Sequence, residues 1–529
     1  MADRQSSSRA FVLGIDGVPW SLVDRWTAAG DLPNFARLRE EGAAGPLEST
    51  TPPTTPLAWP SIATGVWPDQ HGIYGFRRLT DRHTHAVNTS DDVASATLWD
   101  VLGPAAVGNV PMTYPAREID GRLVTGMMTP DGADGFTHPP ELADRIEAQI
   151  PDYQVGLEWA EYRERPEALP GAIADLVAAR QELLDLLLSA VDWRLAFVVF
   201  TAPDRLQHLI WDESVLLDHY RTLDAVVGDA MERAAAADAT LYVVSDHGFG
   251  PIHDLVNVNR ILEREGHLTR RDHDGTRGLL ATLGLTKERV RSTVEGVGLD
   301  FAALVRHLPD SLVDRAATRL PGSNVLYDID HSASAACVFG PGNVYVNDTD
   351  RFQDGVVEPE AVDAVKADVA AAFRHVTDPE TGQRVLDVHD GDDLFPRDPD
   401  SPDLVVRGKD GYSKRRSLAD ATIEPAAGEA AGHRSTGVFL AWGPHVAAGS
   451  TPAEASVVDV APTVLHLAGE PVPASADGRV LSELFEPDSP PAEREVSEAV
   501  YDRAGRTVEP SESGSGDVED RLRGLGYID

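Results

Sequence analysis

The chain has 529 residues, 86 acidic against 46 basic, and a formal charge of −40 at pH 7. Such a surface repels nucleic-acid phosphates and anionic lipid, which argues against polynucleotide binding through a broad basic face. The only lysines are Lys287, Lys366, Lys409 and Lys414, and an acidic, lysine-poor surface is the composition expected of adaptation to high salt, where screening is nearly complete.

The N-terminal MADRQSSSRA runs straight into an apolar, strand-like segment, Phe11–Ile15, without the apolar stretch and cleavage site of a signal peptide. No stretch approaches 18 apolar residues, so no membrane span is expected and the protein reads as soluble and cytoplasmic. Leu32–Glu41 has a helical pattern that stops at Gly42. Ile173, Leu176, Val177, Leu183, Leu184 and Leu187 fall at helical spacing before a strand at Leu195–Thr201. A second helix through Leu223, Val226 and Val227 precedes a strand at Thr240–Ser245. From 259 to 429 the rhythm changes. Charged helical patterns at Ile261–Leu268, Leu279–Val294 and Phe301–Leu320 precede strand-like Ala335–Phe339 and Asn343–Asn347, then SPDLVV at Ser401–Val406. Cys337, the sole cysteine, excludes an intramolecular disulfide and a zinc–thiolate cluster, and reads as buried packing. Thr436–Trp442 is a last apolar run, followed by a helical segment that Pro462 interrupts or begins. Residues 486–516, rich in Pro, Glu and Ser, read as loose.

Strands alternating with helices predict an α/β fold, a mainly parallel central sheet sandwiched by helices, with an inserted α+β cap domain. The expected division is a catalytic core at 1–258 and 430–485, an inserted cap or substrate domain at 259–429, and an acidic, partly flexible tail at 486–529. In such sheets ligands gather at the carboxyl ends of the strands. Residues suited to that role stand there: Asp16 after the first strand, Asp204 and His208 after another, Asp246 and His247 after a third, and His433 just before a fourth. Any one is weak, since an Asp ending a strand is commonly a helix N-cap. Together, carboxylates and imidazoles suit zinc or manganese rather than magnesium or calcium. Two ions can clamp the attacking and leaving oxygens of an in-line displacement.

The segment Glu48–Phe76, ESTTPPTTPLAWPSIATGVWPDQHGIYGF, carries four candidate nucleophiles that composition does not separate: Thr50, Thr51, Thr54 and Thr55. Ser61-Ile62-Ala63-Thr64-Gly65, Pro68 and His71-Gly72-Ile73 follow the order of a known motif, and the block resembles the alkaline phosphatase superfamily, most closely its type I phosphodiesterase/nucleotide pyrophosphatase branch. VVDVAPTVLHLAGEPVP (Val457–Pro473) and the C-terminal LGYID are similar to the same branch. The resemblance covers about 1–258 and 430–529.

It implies an alkaline phosphatase-like fold, a small phosphorylated substrate and Thr55 as nucleophile, passing through a phosphothreonine. It also implies two divalent ions, zinc or alternatively manganese: one held by Asp16, Asp246 and His247 with the Thr55 oxygen, the other by Asp204, His208 and His433. His71 and Thr64 are expected to be structural, His253 to lie behind the site or on the surface, and Trp59 and Trp67 to flank the pocket. Two positions depart from the branch. Where it has an Asn that binds a non-bridging phosphate oxygen, the count gives Phe76, and Pro56 after the nucleophile has no N–H to donate. Arg77, Arg78 and Arg434 are the candidates to replace them, since guanidinium forks suit phosphate. A sulfatase is disfavoured because Trp59 occupies the place of that branch's Arg. A monoesterase, phosphonate hydrolase or phosphomutase of the same superfamily stays open, as does a metal-stabilised binding protein without turnover.

Overall fold

The computed structural model describes residues 8–151, 153–163, 165–189, 191–271, 325–426, 430–503 and 515–524. The helical patterns expected at Leu279–Val294 and Phe301–Leu320, and the LGYID terminus, lie outside them.

The central sheet is built from β1 (Arg9–Ile15), β2 (Ala43–Glu48), β3 (Ala105–Val110), β4 (Gly121–Thr125), β5 (Thr137–His138), β6 (Leu195–Phe200), β7 (Ala239–Val244) and, further along, a strand at Thr436–Trp442. The chain between contributes β8 (Gly248–Asn257), β9 (Ala336–Phe339), β10 (Asn343–Val346), β11 (Leu386–Asp390), β12 (Leu404–Gly408), β13 (Gly411–Arg415), β14 (Ile423–Pro425) and β15 (Ala431–Arg434), so Thr436–Trp442 is β16. The central order is β2-β16-β7-β1-β6-β3-β4-β5. β7, β1, β6, β3 and β4 run parallel, while β16 is antiparallel to both its neighbours and β5 to β4. The mixed α/β fold with a mostly parallel central sheet is the one expected.

Both faces of this sheet are covered, which is why its strands read as continuous apolar runs. Phe11, Leu13 and Ile15 of β1 pack into one core with Phe35 and Leu38 of a helix at Pro33–Glu41, and with Leu183 and Leu223 of the helices Leu169–Ser189 and Glu213–Ala237. Ala10 and Val12 point to the opposite core, with Trp59 and Ile62 of the helix Thr55–Thr64 and Val460 and Val464 of the helix Val460–Ala468. Each fully buried Leu, Val or Phe contributes roughly 1.5–3 kcal/mol of transfer free energy. Pro462, the third residue of its helix, sits where the missing N–H costs nothing.

A second layer of sheet stands beyond the carboxyl ends. β8 pairs with β13, β14 and β15, and β9-β10-β12-β11 form an antiparallel sheet. Val338, Val344 and Val406 of that sheet share a core with Phe373 and with Val256 at the far end of β8. Cys337 is buried there, and burial pushes its thiol up to about 12. In the acidic tail, Glu498–Ala499 pairs in parallel with Val472–Pro473, and a helix at Ser515–Gly524 buries Val518 and Leu522 against Ile73 and Tyr114. Among the described residues, no helix is long and apolar enough to cross a membrane.

Candidate active site

The carboxyl ends of β1, β6 and β7 open on one side of the sheet, and each hands over to a residue of the cluster. Asp16 follows β1, its backbone N–H bonded to Phe200 O at 3.0 Å. After β6 the chain turns into the helix Ala202–Leu209, where Asp204 and His208 lie four residues apart on one face. Asp246 and His247 fall between β7 and β8. β16 runs against the others, so its start lies at the same side and brings in His433, the third residue of β15. Asp16, Asp204, Asp246 and His247 are fully buried.

The Thr-rich block folds as the buried helix Thr55–Thr64 with Pro60 inside it. Thr55 is its first residue, and its Oγ1 lies 3.3 Å from His247 Nε2. Thr50 turns its hydroxyl away, donating to Pro52 O at 2.8 Å. His247 Nε2 is also 3.7 Å from Asp16 Oδ1 and 3.4 Å from Asp246 Oδ2. Asp16, Asp246 and His247 form one group whose ligand atoms lie within 4.8 Å of one another, and Asp204, His247 and His433 form another. His208 joins the second, with Nε2 3.1 Å from His433 Nε2 and 3.5 Å from Asp204 Oδ1.

These residues fit a cation centre, on three observations. Nδ1 of His247 faces Gly248 O and Nδ1 of His433 faces Pro53 O, each at 3.1 Å. A carbonyl only accepts, so both rings carry their proton on Nδ1 and aim the Nε2 lone pair inward. Asp16 Oδ1 and Asp246 Oδ2 are buried and accept no hydrogen bond from a described residue. Burial, and then the neighbouring carboxylates, push Asp16 and Asp246 well above the usual carboxylate range. Asp204 behaves oppositely: burial opposes its charge, but His208 and His433 hold it well below that range. Burial, then His247, drives His433 down to about 3. Imidazole Nε2 atoms and buried carboxylates gathered in this way make up a divalent-metal donor set.

Trp59 does more than flank the pocket, because its Nε1 donates to Asp16 Oδ2 at 3.1 Å and orients that carboxylate. Trp67 lies apart, its backbone N–H on Asp477. His71 is buried; it accepts from Ile73 N–H on Nδ1 and so donates from Nε2 to Ser61 Oγ, while Thr64 donates to Pro60 O. His253 stands on the cavity rim, paired with Asp254.

A cavity of about 1490 Å³ opens over the cluster, lined by Thr54, Pro56, His208 and His433 on its floor and by β8, β12 and β13 on its wall. Of the expected substrate-binding arginines, Arg77 and Arg434 line it. Arg78 does not: it bonds Asn88 and Asp92, each at 2.9 Å. Phe76 lines the wall. Sequence reasoning missed Arg205 and the run Arg407–Arg416. Adjacency to Asp204 signals the first; the second, RGKDGYSKRR, holds two of the chain's four lysines.

The mixed α/β fold with its mostly parallel central sheet is that of the alkaline phosphatase superfamily. Residues 10–437 match the family described as type I phosphodiesterase / nucleotide pyrophosphatase, and the chain belongs to that family of phosphoesterases. No curated protein matches the chain. Among solved structures it is similar to human ectonucleotide pyrophosphatase / phosphodiesterase 5, at 13% identity and TM-score 0.49 over 89% of this chain and 97% of that one. It is similar also to the murine protein of the same name, at 12% identity and TM-score 0.50 over 90% of this chain and 100% of that one. The murine structure is an inactive threonine-to-alanine form in complex with AMP.

Proposed function

We propose that the chain is a metal-dependent phosphodiesterase or nucleotide pyrophosphatase in which Thr55 is the nucleophile. The observation that carries this reading is the Thr55 hydroxyl, 3.3 Å from His247 and buried beside carboxylate oxygens with no partner among the described residues. Asp16, Asp246 and His247 hold one divalent cation together with Thr55 Oγ1, and Asp204, His208 and His433 hold a second. Zinc suits the mixed nitrogen and oxygen donors, with manganese the alternative. When bound, such cations acidify a coordinated hydroxyl and neutralise charge on phosphoryl oxygens.

Thr55 Oγ1 forms a bond to phosphorus as the bond to the leaving oxygen breaks, which gives a phosphothreonine still carrying the substrate's second ester group and a released alcohol or phosphate. Water then cleaves the threonine ester and restores Thr55. The helix that begins at Thr55 presents its positive end to the phosphoryl group. Arg77 supplies donors to non-bridging oxygens in place of those missing at Pro56 and Phe76. The AMP complex of the murine relative makes nucleoside monophosphates the first products to look for.

The test uses metal-loaded protein with bis-p-nitrophenyl phosphate and p-nitrophenyl phosphate, followed by acid quench and mass spectrometry. Turnover faster for the diester, a p-nitrophenyl-phosphoryl adduct at Thr55 from the diester and loss of both in Thr55→Ala are expected. Full activity in Thr55→Ala sinks the nucleophile. Faster monoester turnover moves the chain to the monoesterases of the superfamily, and no turnover of either leaves a binding protein.

A further inference from the structure

The net charge of −40 is not evenly spread. The cavity over the cluster is lined by nine Arg or Lys side chains against two aspartates, Asp387 and Asp410. The excess gathers on the wall away from Thr55. β13 runs parallel to β8 with Lys414 opposite Val256, while Arg434 sits across the other edge of β8 opposite Gly248. Arg434 reaches along β8, its Nη2 donating to Pro251 O at 2.8 Å, and it lines the same cavity as Lys414 and Arg407 of β12.

Their carboxylate partners are too few. Asp387 is shared between Arg407 at 3.8 Å and Lys409 at 3.5 Å. Asp410, which pairs with Arg434 at 3.2 Å, is almost wholly exposed. Lys414 has no ion-pair partner among the described residues. Its stem lies over Gly342, where a Cβ would overlap both Val406 O and Lys414 Cε. Burial, then Arg407 and Arg434, pull the ammonium down to about 8. Three cations crowded on a half-buried wall repel one another, and salt screens such a wall far less than an open surface. An anion entering among them relieves the repulsion, and the two guanidinium forks suit phosphate.

We propose that Lys414, Arg407 and Arg434 form a second anion subsite, and that the substrate is a soluble phosphoester carrying a second phosphate remote from the bond that is cleaved. This rests on the reading of the Thr55 centre as the place where the first phosphate reacts, and it adds what the far part of the substrate must carry.

The experiment measures binding to the metal-loaded full chain by calorimetry at fixed ionic strength. The probes are propanediol and octanediol phosphorylated at both ends, each compared with propyl or octyl phosphate. At least one bisphosphate is expected to bind tenfold or more tightly than its monophosphate. Lys414→Gln brings that ratio to within about twofold, Lys414→Arg retains it, and Arg407→Gln lowers it as an independent check in case Lys414→Gln does not fold. Equal affinities in the wild type, or a ratio that survives both glutamine variants, overturns the subsite. Turnover of bis-p-nitrophenyl phosphate is followed alongside. Turnover without the ratio overturns the subsite alone, whereas the ratio without turnover upholds the subsite and overturns the hydrolase reading.

Discussion

Gly14 is the position where a single methyl group is expected to reach Thr55, the proposed nucleophile. A Cβ there would overlap Trp59 Cη2 and lie 2.8 Å from both Trp59 Cζ3 and Val199 Cγ2. Trp59 is fully buried and cannot swing aside, so Gly14→Ala must push the helix that begins at Thr55 off the sheet. Overpacking of this kind costs roughly 1–3 kcal/mol. The same shift strains the Trp59–Asp16 hydrogen bond, and a displacement near 1 Å at a reacting centre costs about a hundredfold in rate. Trp59→Phe removes the outer ring atoms and the N–H together; losing a hydrogen bond to a charged group costs about 1.5–3 kcal/mol. The double variant is therefore expected to recover at least about 1 kcal/mol relative to the sum of the singles, because the clash is gone. Its turnover stays low, because Asp16 has still lost its donor. Urea unfolding and bis-p-nitrophenyl phosphate turnover on the four proteins complete the cycle. Additive stabilities, or full turnover in the double variant, refute the argument.

His219 is buried with Nε2 unbonded among the described residues, and burial alone lowers it to about 4. The folded state keeps it neutral, so its stabilising contribution is full above pH 6.5 and is lost as pH falls toward 4, amounting to about 2 kcal/mol at pH 5. Urea unfolding at pH 7 and pH 5 should show a shallower acid loss in His219→Gln, and an unchanged loss rules out this group. Chelation should lower the melting temperature and zinc or manganese restore it, since a ligand at a thousand times its Kd stabilises by about 4 kcal/mol; identical scans with and without chelator count against a cation centre. With 86 acidic residues, the melting temperature should rise between dilute buffer and molar sodium chloride as self-repulsion is screened, and a fall overturns the high-salt reading.

The core strands were legible because they are long apolar runs bounded by chemistry: Phe11–Ile15, Leu195–Thr201 and Thr436–Trp442 lie within a residue or two of β1, β6 and β16. Strands β2, β3 and β4 escaped because AAGPLE, AAVGNV and GRLVT are short and broken by Gly or Pro, and their strand state comes from sheet neighbours rather than from pattern. The helix at Thr55 escaped for a related reason, since Pro56 and Pro60 read as turn residues until tertiary packing overrides them. The grouping of Asp16, Asp204, His208, Asp246, His247 and His433 was legible through strand ends alone. The electrostatics of the wall were not, because pairing between β8, β12 and β13 is long-range and no local spacing reports it.

One consequence of the sheet order concerns synthesis. β2, which leads to Thr55, joins the central sheet only through β16, and β16 follows directly on the segment that carries His433. Until some 440 residues have been made, β7 presents an open edge and β2 has no partner in the sheet. One strand insertion then seals the edge, pairs β2 and delivers His433. A nascent chain that stalls before it is exposed to aggregation at that edge.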